Sequence, residues 1–265
     1  MAASLGVLAP GMYVPTNAVT EADARYERER EFHDADSARW ARVERYYEVT
    51  ASSHRFFAEQ LAVLAPGRAV LEYGCGEGSS AFTLADLGAR VTGIDISGVR
   101  IEQARERAAA AGLDSVEFFE MNAESLDFPD DSFDVVCGIS IIHHLDLDKA
   151  LSEVARVLRP NGRALFFEPL GHNPIINLYR TLTPRLRTAD EHPLLMKDLG
   201  AMYERFGSVD VHFFHLTSLT AAPLAHSRLF PPIAGALERF DGWLFEHVPR
   251  MRKHAWVAVI QLTRS

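Results

Sequence analysis

The sequence predicts an α/β protein built on a parallel, doubly wound sheet, and three observations carry that reading. Between residues 69 and 168, apolar runs of strand length alternate with amphipathic helical patterns, the arrangement that yields parallel strands joined by helical crossovers. The first run, Val70-Leu71-Glu72-Tyr73, passes through Gly74-Cys75-Gly76-Glu77-Gly78 into a helical pattern that starts at Ser79. Such a turn is stripped of side chains, so a ligand can lie against its backbone. At 265 residues and 48% apolar composition the chain can bury one full α/β core with decoration, and nothing forces a second independent domain.

Residues 1–19 contain Pro10, Gly11 and Pro15 without periodicity and read as an irregular arm. From residue 20 to 64 a charged helical pattern carries Tyr26, Phe32, Trp40, Tyr46, Tyr47, Phe56 and Phe57. It reads as two amphipathic helices packed on the core; because it precedes the first strand, it can also fold over the mouth of a ligand site, with Tyr46 and Tyr47 toward a substrate. Residues 1–64 are therefore assigned to an arm and helical cap, and 65–265 to the sheet domain. Strands are expected at 69–73, 90–94, 115–120, 133–139 and 163–168, with helices near 79–88, 97–111 and 147–158. Asn161-Gly162 supplies the turn into the fifth strand. Residues 169–192 are too long and distinctive for a plain crossover and read as a lid or substrate-binding insert. A helix near 194–206 and strands near 208–216 and 254–263 complete the pattern. Between those strands the apolar insertion 219–253 reads as helical cover that also offers a homo-oligomer contact.

The glycines follow a Gly-x-Gly-x-Gly spacing; a dinucleotide fingerprint would need glycine where Ser79 stands. Glu72, just before the loop, suits a ligand with an ammonium group better than a pyrophosphate. Asp95, at the end of the next strand, is placed to accept both ribose hydroxyls of a nucleoside, or to cap the helix that follows; Ser97 is the better cap. With these flanks the stretch resembles the nucleotide loop of class I S-adenosylmethionine-dependent methyltransferases, a resemblance that covers roughly residues 65–215. It implies S-adenosylmethionine as cofactor and a Rossmann-like seven-stranded sheet of order 3-2-1-4-5-7-6 whose last strand is antiparallel. It also implies cofactor contacts from Glu72, Gly74, Gly76, Gly78, Asp95, Ile96 and Ile139, and an adenine-recognition step at Asn122-Ala123-Glu124. There Asn122 stands where the family usually has an acid.

The acceptor side is read from two places. His143 and His144 follow the fourth strand, where an imidazole titrating near neutrality serves as a general base. The same pair recurs as architecture in methyltransferases of unlike substrate, so His143 reads as structural and His144 stays open between the two roles. The insert gathers Arg180, Arg185 and Arg187 with Tyr179 and His192 nearby, either a clamp for a phosphorylated or carboxylated acceptor or a loop neutralised by Asp190 and Glu191. Glu168-Pro169-Leu170-Gly171-His172-Asn173-Pro174, continued by Asn177-Leu178-Tyr179-Arg180 and Asp190-Glu191-His192-Pro193, resembles a bacterial subgroup that includes prenyl diphosphate C-methyltransferases. That resemblance implies methylation of an alkene carbon of an acceptor such as isopentenyl or geranyl diphosphate, with Glu168 deprotonating the resulting cation. Tyr179, Arg180 and Arg185 then grip the diphosphate, Mg²⁺ offsets its charge, and Tyr47, His172, Asn173 and His192 complete the pocket. Two alternatives stand beside it: an O- or N-methyltransferase with His144 as base and Glu168 orienting it, and a cofactor-binding regulatory or assembly protein without turnover.

A formal charge of -9 argues against broad nucleic-acid or anionic-membrane binding and leaves room for a local basic pocket. The first fifteen residues lack a basic start followed by a long apolar run, and no window reaches the roughly 18 apolar residues of a membrane helix, so a cytoplasmic protein acting on a small molecule is expected. Cys75 and Cys137 offer neither metal-ligand spacing nor a disulfide framework and read as buried thiols.

Overall fold

The computed structural model describes residues 21–34, 48–183 and 191–265. Helices α1 (Glu21–Asp34) and α2 (Ala51–Leu64) precede the sheet. Then follow β1 (Ala69–Tyr73), α3 (Ser79–Asp86), β2 (Arg90–Asp95), α4 (Gly98–Ala111), β3 (Val116–Glu120), β4 (Phe133–Ile139), α5 (Leu147–Val157) and β5 (Leu158–Pro169). The chain ends with α6 (Pro174–Leu182), α7 (Met196–Arg205), β6 (Ser208–Phe214), α8 (Phe230–His247) and β7 (Val257–Thr263). The seven strands lie in the expected order β3-β2-β1-β4-β5-β7-β6, and β7 runs antiparallel to both β5 and β6.

Alternation along each strand divides the core in two. Leu71, Tyr73, Val136, Phe166 and Ile260 face one side, under α5 and α7. Their neighbours Val70, Val135, Leu165 and Val259 face the other, under α2, α3 and α4. Both faces are covered, so the central strands are apolar throughout rather than every second residue. Cys75 and Cys137 are buried free thiols, and burial raises the pKa of each. Among the described residues no helix is long and apolar enough to cross a membrane.

The last strand begins at Val257 and not at 254, and the sixth ends at Phe214, but the largest boundary difference from the sequence reading is at the fifth strand. Helix α5 stops at Val157 and β5 begins at Leu158, so the anticipated turn at Asn161-Gly162 is absorbed as an irregularity within the strand. The pairing with β4 shifts register between Phe133 and Val135, and Asn161 takes a positive φ of 62°. Its N–H donates to the carbonyl of Arg264 at 3.2 Å, so the edge of β7 holds the bulge in the sheet.

The insertion before β7 is tied down by a buried acid. Asp241, on α8, is 3% exposed. Its carboxylate accepts from the backbone N–H groups of Leu216 (3.0 Å), Thr217 (2.7 Å) and Ser218 (3.1 Å), and from the hydroxyls of Thr217 (2.6 Å) and Ser218 (2.8 Å). The Ser218 hydroxyl lies 3.3 Å from His215 Nδ1, and His215 Nε2 lies 2.7 Å from the Ser53 hydroxyl on α2. Burial pushes His215 down to about 4, which keeps this relay neutral at its centre. Asp241→Ala leaves several buried donors unsatisfied and should cost about 3 kcal/mol in urea-induced unfolding; a loss within about 0.5 kcal/mol would show that water replaces the carboxylate.

Candidate active site

The carboxyl ends of the parallel strands border a cavity of about 980 Å³, at the point where the strand order reverses between β1 and β4. The turn after β1 shapes its floor. Gly74, Gly76 and Gly78 all take positive φ, 64°, 53° and 81°. At Gly78 a Cβ would meet the Phe118 ring at 2.7 Å, so that position combines a left-handed backbone with a contact no side chain tolerates. Asp95 pins the loop from β2: Oδ2 accepts the Gly76 N–H at 2.8 Å and Oδ1 the Ser97 N–H at 2.9 Å. Ser97 in turn caps α4 by accepting from the Arg100 N–H at 3.2 Å, as its position in the sequence suggested. Asp95 lines the cavity, and a carboxylate has acceptor sites beyond those two bonds.

Behind the loop sits Glu72, 5% exposed. Its Oε2 is buried without a hydrogen-bond partner among the described residues. Burial pushes the carboxyl up to about 8, against the opposing pull of the Ser80 hydroxyl and the Ala81 N–H. A buried acid in that state is suited to a cationic ligand group, whose arrival compensates its ionisation. Ile96, Asn122, Ala123, Glu124 and Ile139 line the cavity with Gly74, while Gly76, Gly78 and Glu72 shape the loop from outside the lining. Asn122 Oδ1 accepts the Glu124 N–H at 2.9 Å, which fixes this turn.

Helix α1 closes the cavity from above with its polar face. Arg25, Glu29 and His33 recur every fourth residue and all line the space, as do Tyr26 and Phe32. Arg25 pairs with Glu124 and donates to the carbonyl of His144 at 3.2 Å; the hydroxyl of Ser97 donates to Asp34, and Arg100 donates to the carbonyl of His33 at 3.2 Å. Of the two courses expected for this segment, α1 takes the one over the mouth of the site and not the one packed on the core. The four-residue spacing of charged residues was the available signal.

Past β4 the backbone turns sharply, with Ser140 at a φ of 54°. Glu168, at the end of β5, is fully buried beneath this turn. Its Oε1 accepts the N–H groups of Ile141 and Ile142, both at 2.9 Å, and its Oε2 lies 2.7 Å from His143 Nδ1. Glu168 does not line the cavity, whereas His143 does. The expectation that Glu168 itself reaches an acceptor is corrected: its oxygens are committed to the turn and to His143. His143, read from the sequence as structural, holds Glu168 and also stands on the cavity wall. Burial lowers the His143 pKa, outweighing the upward pull of Glu168, so the geometry is that of a neutral imidazole donating from Nδ1 and accepting at Nε2. Nε2 lies 4.0 Å from Glu191, which pairs with Arg180 at 2.6 Å. His144 Nδ1 lies 3.1 Å from Glu29. Burial pulls His144 down, and the Glu29 carboxylate more than offsets this, leaving its pKa raised.

The far end of the cavity is apolar and aromatic: Phe167, Pro169, Ile176, Tyr179 and Trp256, with the His54 ring 4.3 Å from that of Phe167. Tyr179 and Arg180 line it as expected. Three other expected contacts lie off the lining. His172 Nε2 faces the Met196 N–H at 3.4 Å. Asn173 is fully buried, capping α6 through the N–H groups of Ile175 (3.0 Å) and Ile176 (3.1 Å). His192 is exposed, and its N–H donates to the carbonyl of His143 at 3.2 Å. Tyr47, Arg185 and Arg187 lie outside the described residues. His54, Arg100, Lys149 and Trp256 also line the cavity without having been singled out. They sit far apart in sequence and carry no local motif.

Residues 71–166 match the family model of the methyltransferase domain. Over 132 residues the chain is 42% identical to the ubiquinone/menaquinone biosynthesis C-methyltransferase UbiE of Brucella canis, covering 45% of this chain and 48% of that one. Over 108 residues it is 46% identical to the methyltransferase GfsG of Streptomyces halstedii, covering 40% and 38% respectively. The chain thus spans about half the length, or less, of the curated relatives it matches. Geranyl diphosphate C-methyltransferase of Streptomyces coelicolor A3(2), in complex with Mg²⁺, geranyl diphosphate and S-adenosyl-L-homocysteine, shares the fold at a TM-score of 0.61 and 18% identity, over 91% of this chain and 98% of that one. Phosphoethanolamine N-methyltransferase 2 of Haemonchus contortus does so at a TM-score of 0.63 and 18% identity, over 89% and 59%. Residues 71–166 thus resemble a methyltransferase domain, and the chain shares the fold of these two solved methyltransferases.

Glu72 gives this site a pH signature. Its folded-state pKa of about 8 lies above the ordinary carboxylate value, so the folded chain keeps a proton the unfolded chain has lost. The resulting stabilisation is complete below about pH 4 and is lost as pH rises through about 8. In urea unfolding without ligand, wild type should lose ground to Glu72→Gln by up to about 1.4 kcal/mol per pH unit between about pH 5 and 8. A constant difference across that window would show that Glu72 titrates normally.

Proposed function

We propose that this chain transfers a methyl group from S-adenosylmethionine to a carbon of a small, largely apolar acceptor, with His143 receiving the proton. The observation that carries the reading is the His143 imidazole on the cavity wall, anchored at Nδ1 by a carboxylate that is itself held by two backbone N–H groups. This fixes the tautomer and leaves Nε2 as the acceptor toward the cavity. When bound, the cofactor supplies an electrophilic methyl group on a sulfonium. The residues present suit it: Glu72 for the ammonium group, the glycine turn for close approach, Asp95 for the ribose hydroxyls and Asn122, Ala123 and Glu124 for the adenine.

Two of the cavity's arginines are matched to acids, Arg25 to Glu124 and Arg180 to Glu191, while its far wall is Phe167, Ile176, Tyr179 and Trp256. This favours an acceptor held by apolar and aromatic contact, such as a hydroxylated ring or an enol. Removal of its hydroxyl proton by His143 raises electron density on the neighbouring carbon, which then attacks the methyl group. A carbon acceptor also agrees with the names of the UbiE relative and the geranyl diphosphate neighbour. The neighbour, matched over 91% of this chain, together with Tyr179 and Arg180 on the wall, supports a second acceptor class, the prenyl diphosphates. For these Arg180 must exchange Glu191 for phosphate oxygens, Mg²⁺ is a candidate counter-ion, and His143 replaces Glu168 as base.

The test is mass spectrometry after incubation with S-adenosylmethionine and hydroxylated aromatics, enolisable ketones, and isopentenyl and geranyl diphosphates, with and without Mg²⁺. The expected product gains one CH₂ on carbon. His143→Ala should lower kcat about 10²–10⁴-fold, and Glu168→Gln should lower it with little change in cofactor affinity. Undiminished turnover in His143→Ala would remove the base from the proposal. Cofactor binding without transfer to any acceptor would favour the regulatory or assembly role instead.

A further inference from the structure

Glu29, His33 and His144 meet above the cofactor end of the cavity, a cluster the proposed methyl transfer does not use. Glu29 and His33 stand four residues apart on one face of α1, and His144 belongs to the turn after β4. Glu29 Oε2 lies 3.1 Å from His144 Nδ1 and 3.6 Å from His33 Nε2. Each of the three residues offers a ligand atom within 4.8 Å of the other two. Metal–ligand bonds of about 2.1 Å place neighbouring ligand atoms about 3.0–3.4 Å apart at octahedral or tetrahedral angles. The 3.1 Å separation lies inside that range, the 3.6 Å one slightly above it and the third within 4.8 Å, so closing the His33 side on the other two brings all three atoms onto one ion.

We propose that Glu29, His33 and His144 bind a divalent transition metal ion that fastens α1 over the cavity. Two imidazoles and one carboxylate select a borderline cation of the zinc, cobalt or iron(II) kind, not Mg²⁺, which prefers oxygen ligands throughout. A second grouping, His143, His144 and Glu191, has comparable spacing. There Glu191 is already paired with Arg180 at 2.6 Å, and an ion on His143 Nε2 would occupy the atom assigned as the base, which disfavours it. All three proposed ligands line the cavity, so a coordination position left by the protein opens toward bound small molecules. The ion bridges an element that precedes the sheet to one at its centre, adding to the contacts of Arg25 and Asp34 at the same interface.

The experiment titrates the untagged full-length chain, stripped with chelator, with Co²⁺, following the visible d–d bands; it needs no substrate, so it stands apart from any failure of the methyl-transfer assay. One equivalent should bind, Zn²⁺ should displace it, and Mg²⁺ should not. His33→Ala and Glu29→Gln should each weaken binding by more than about 10-fold. His33→Cys should restore binding and add a thiolate-to-cobalt charge-transfer band, which separates loss of a ligand from loss of folding. No saturable band in the wild type overturns the site. So does binding that survives His33→Ala and is lost in Glu191→Gln, which would place the ion on the other grouping.

Discussion

The buried carboxylate of Glu168 is the constraint on which the cavity wall after β4 depends. A fully buried acid must have its lone pairs filled, and here the partners are the N–H groups of Ile141 and Ile142 and the ring of His143. Those three residues follow β4, while Glu168 ends β5, so one side chain locks two neighbouring strand ends together. The sharp turn at Ser140 then has a single favourable course, and His143 enters the cavity in one orientation. Ser140 adds its own bond, donating to the carbonyl of Phe167 at 2.7 Å, so the turn is fastened to β5 through backbone and side chain alike.

Polar groups around the cavity are organised by the same rule. Asp95 spends its bonds on the loop that surrounds the ligand space; Glu124 receives Arg25 and the Asp146 N–H; Glu191 receives Arg180. Glu72 departs from this, with a buried oxygen that has no hydrogen-bond partner among the described residues where the turn is barest. Beside acids such as Asp95, Glu124 and Glu191, this is a position where a cation restores balance.

The sheet and its glycine turn were legible in the sequence because both rest on local rules: apolar runs of strand length, helical periodicity, and glycine where φ is positive. Ser97 as helix cap and Asp95 at the strand end were legible for the same reason. The contact between Glu168 and His143 was not, since it depends on which strand ends meet, and residues 25 apart touch only after β4 and β5 pair. Asn173 and His172 illustrate the opposite error. Their place in a distinctive run suggested substrate contact, yet the backbone claims Asn173 as a cap and His172 as an acceptor. Helix α1 left both courses open because charge on a helix ordinarily faces water, and here the cavity takes that place.

The relay from Ser53 through His215 and Ser218 to Asp241 has a consequence for how this architecture can be divided. It joins a helix before the sheet to the insertion between β6 and β7, across more than half the chain in sequence. Grafting residues 219–253 onto another sheet would bury an acid without its donors; grafting residues 48–64 alone would part Ser53 from His215. The two segments form one inheritable module despite their distance, and recombination between relatives preserves the fold when both ends come from the same parent.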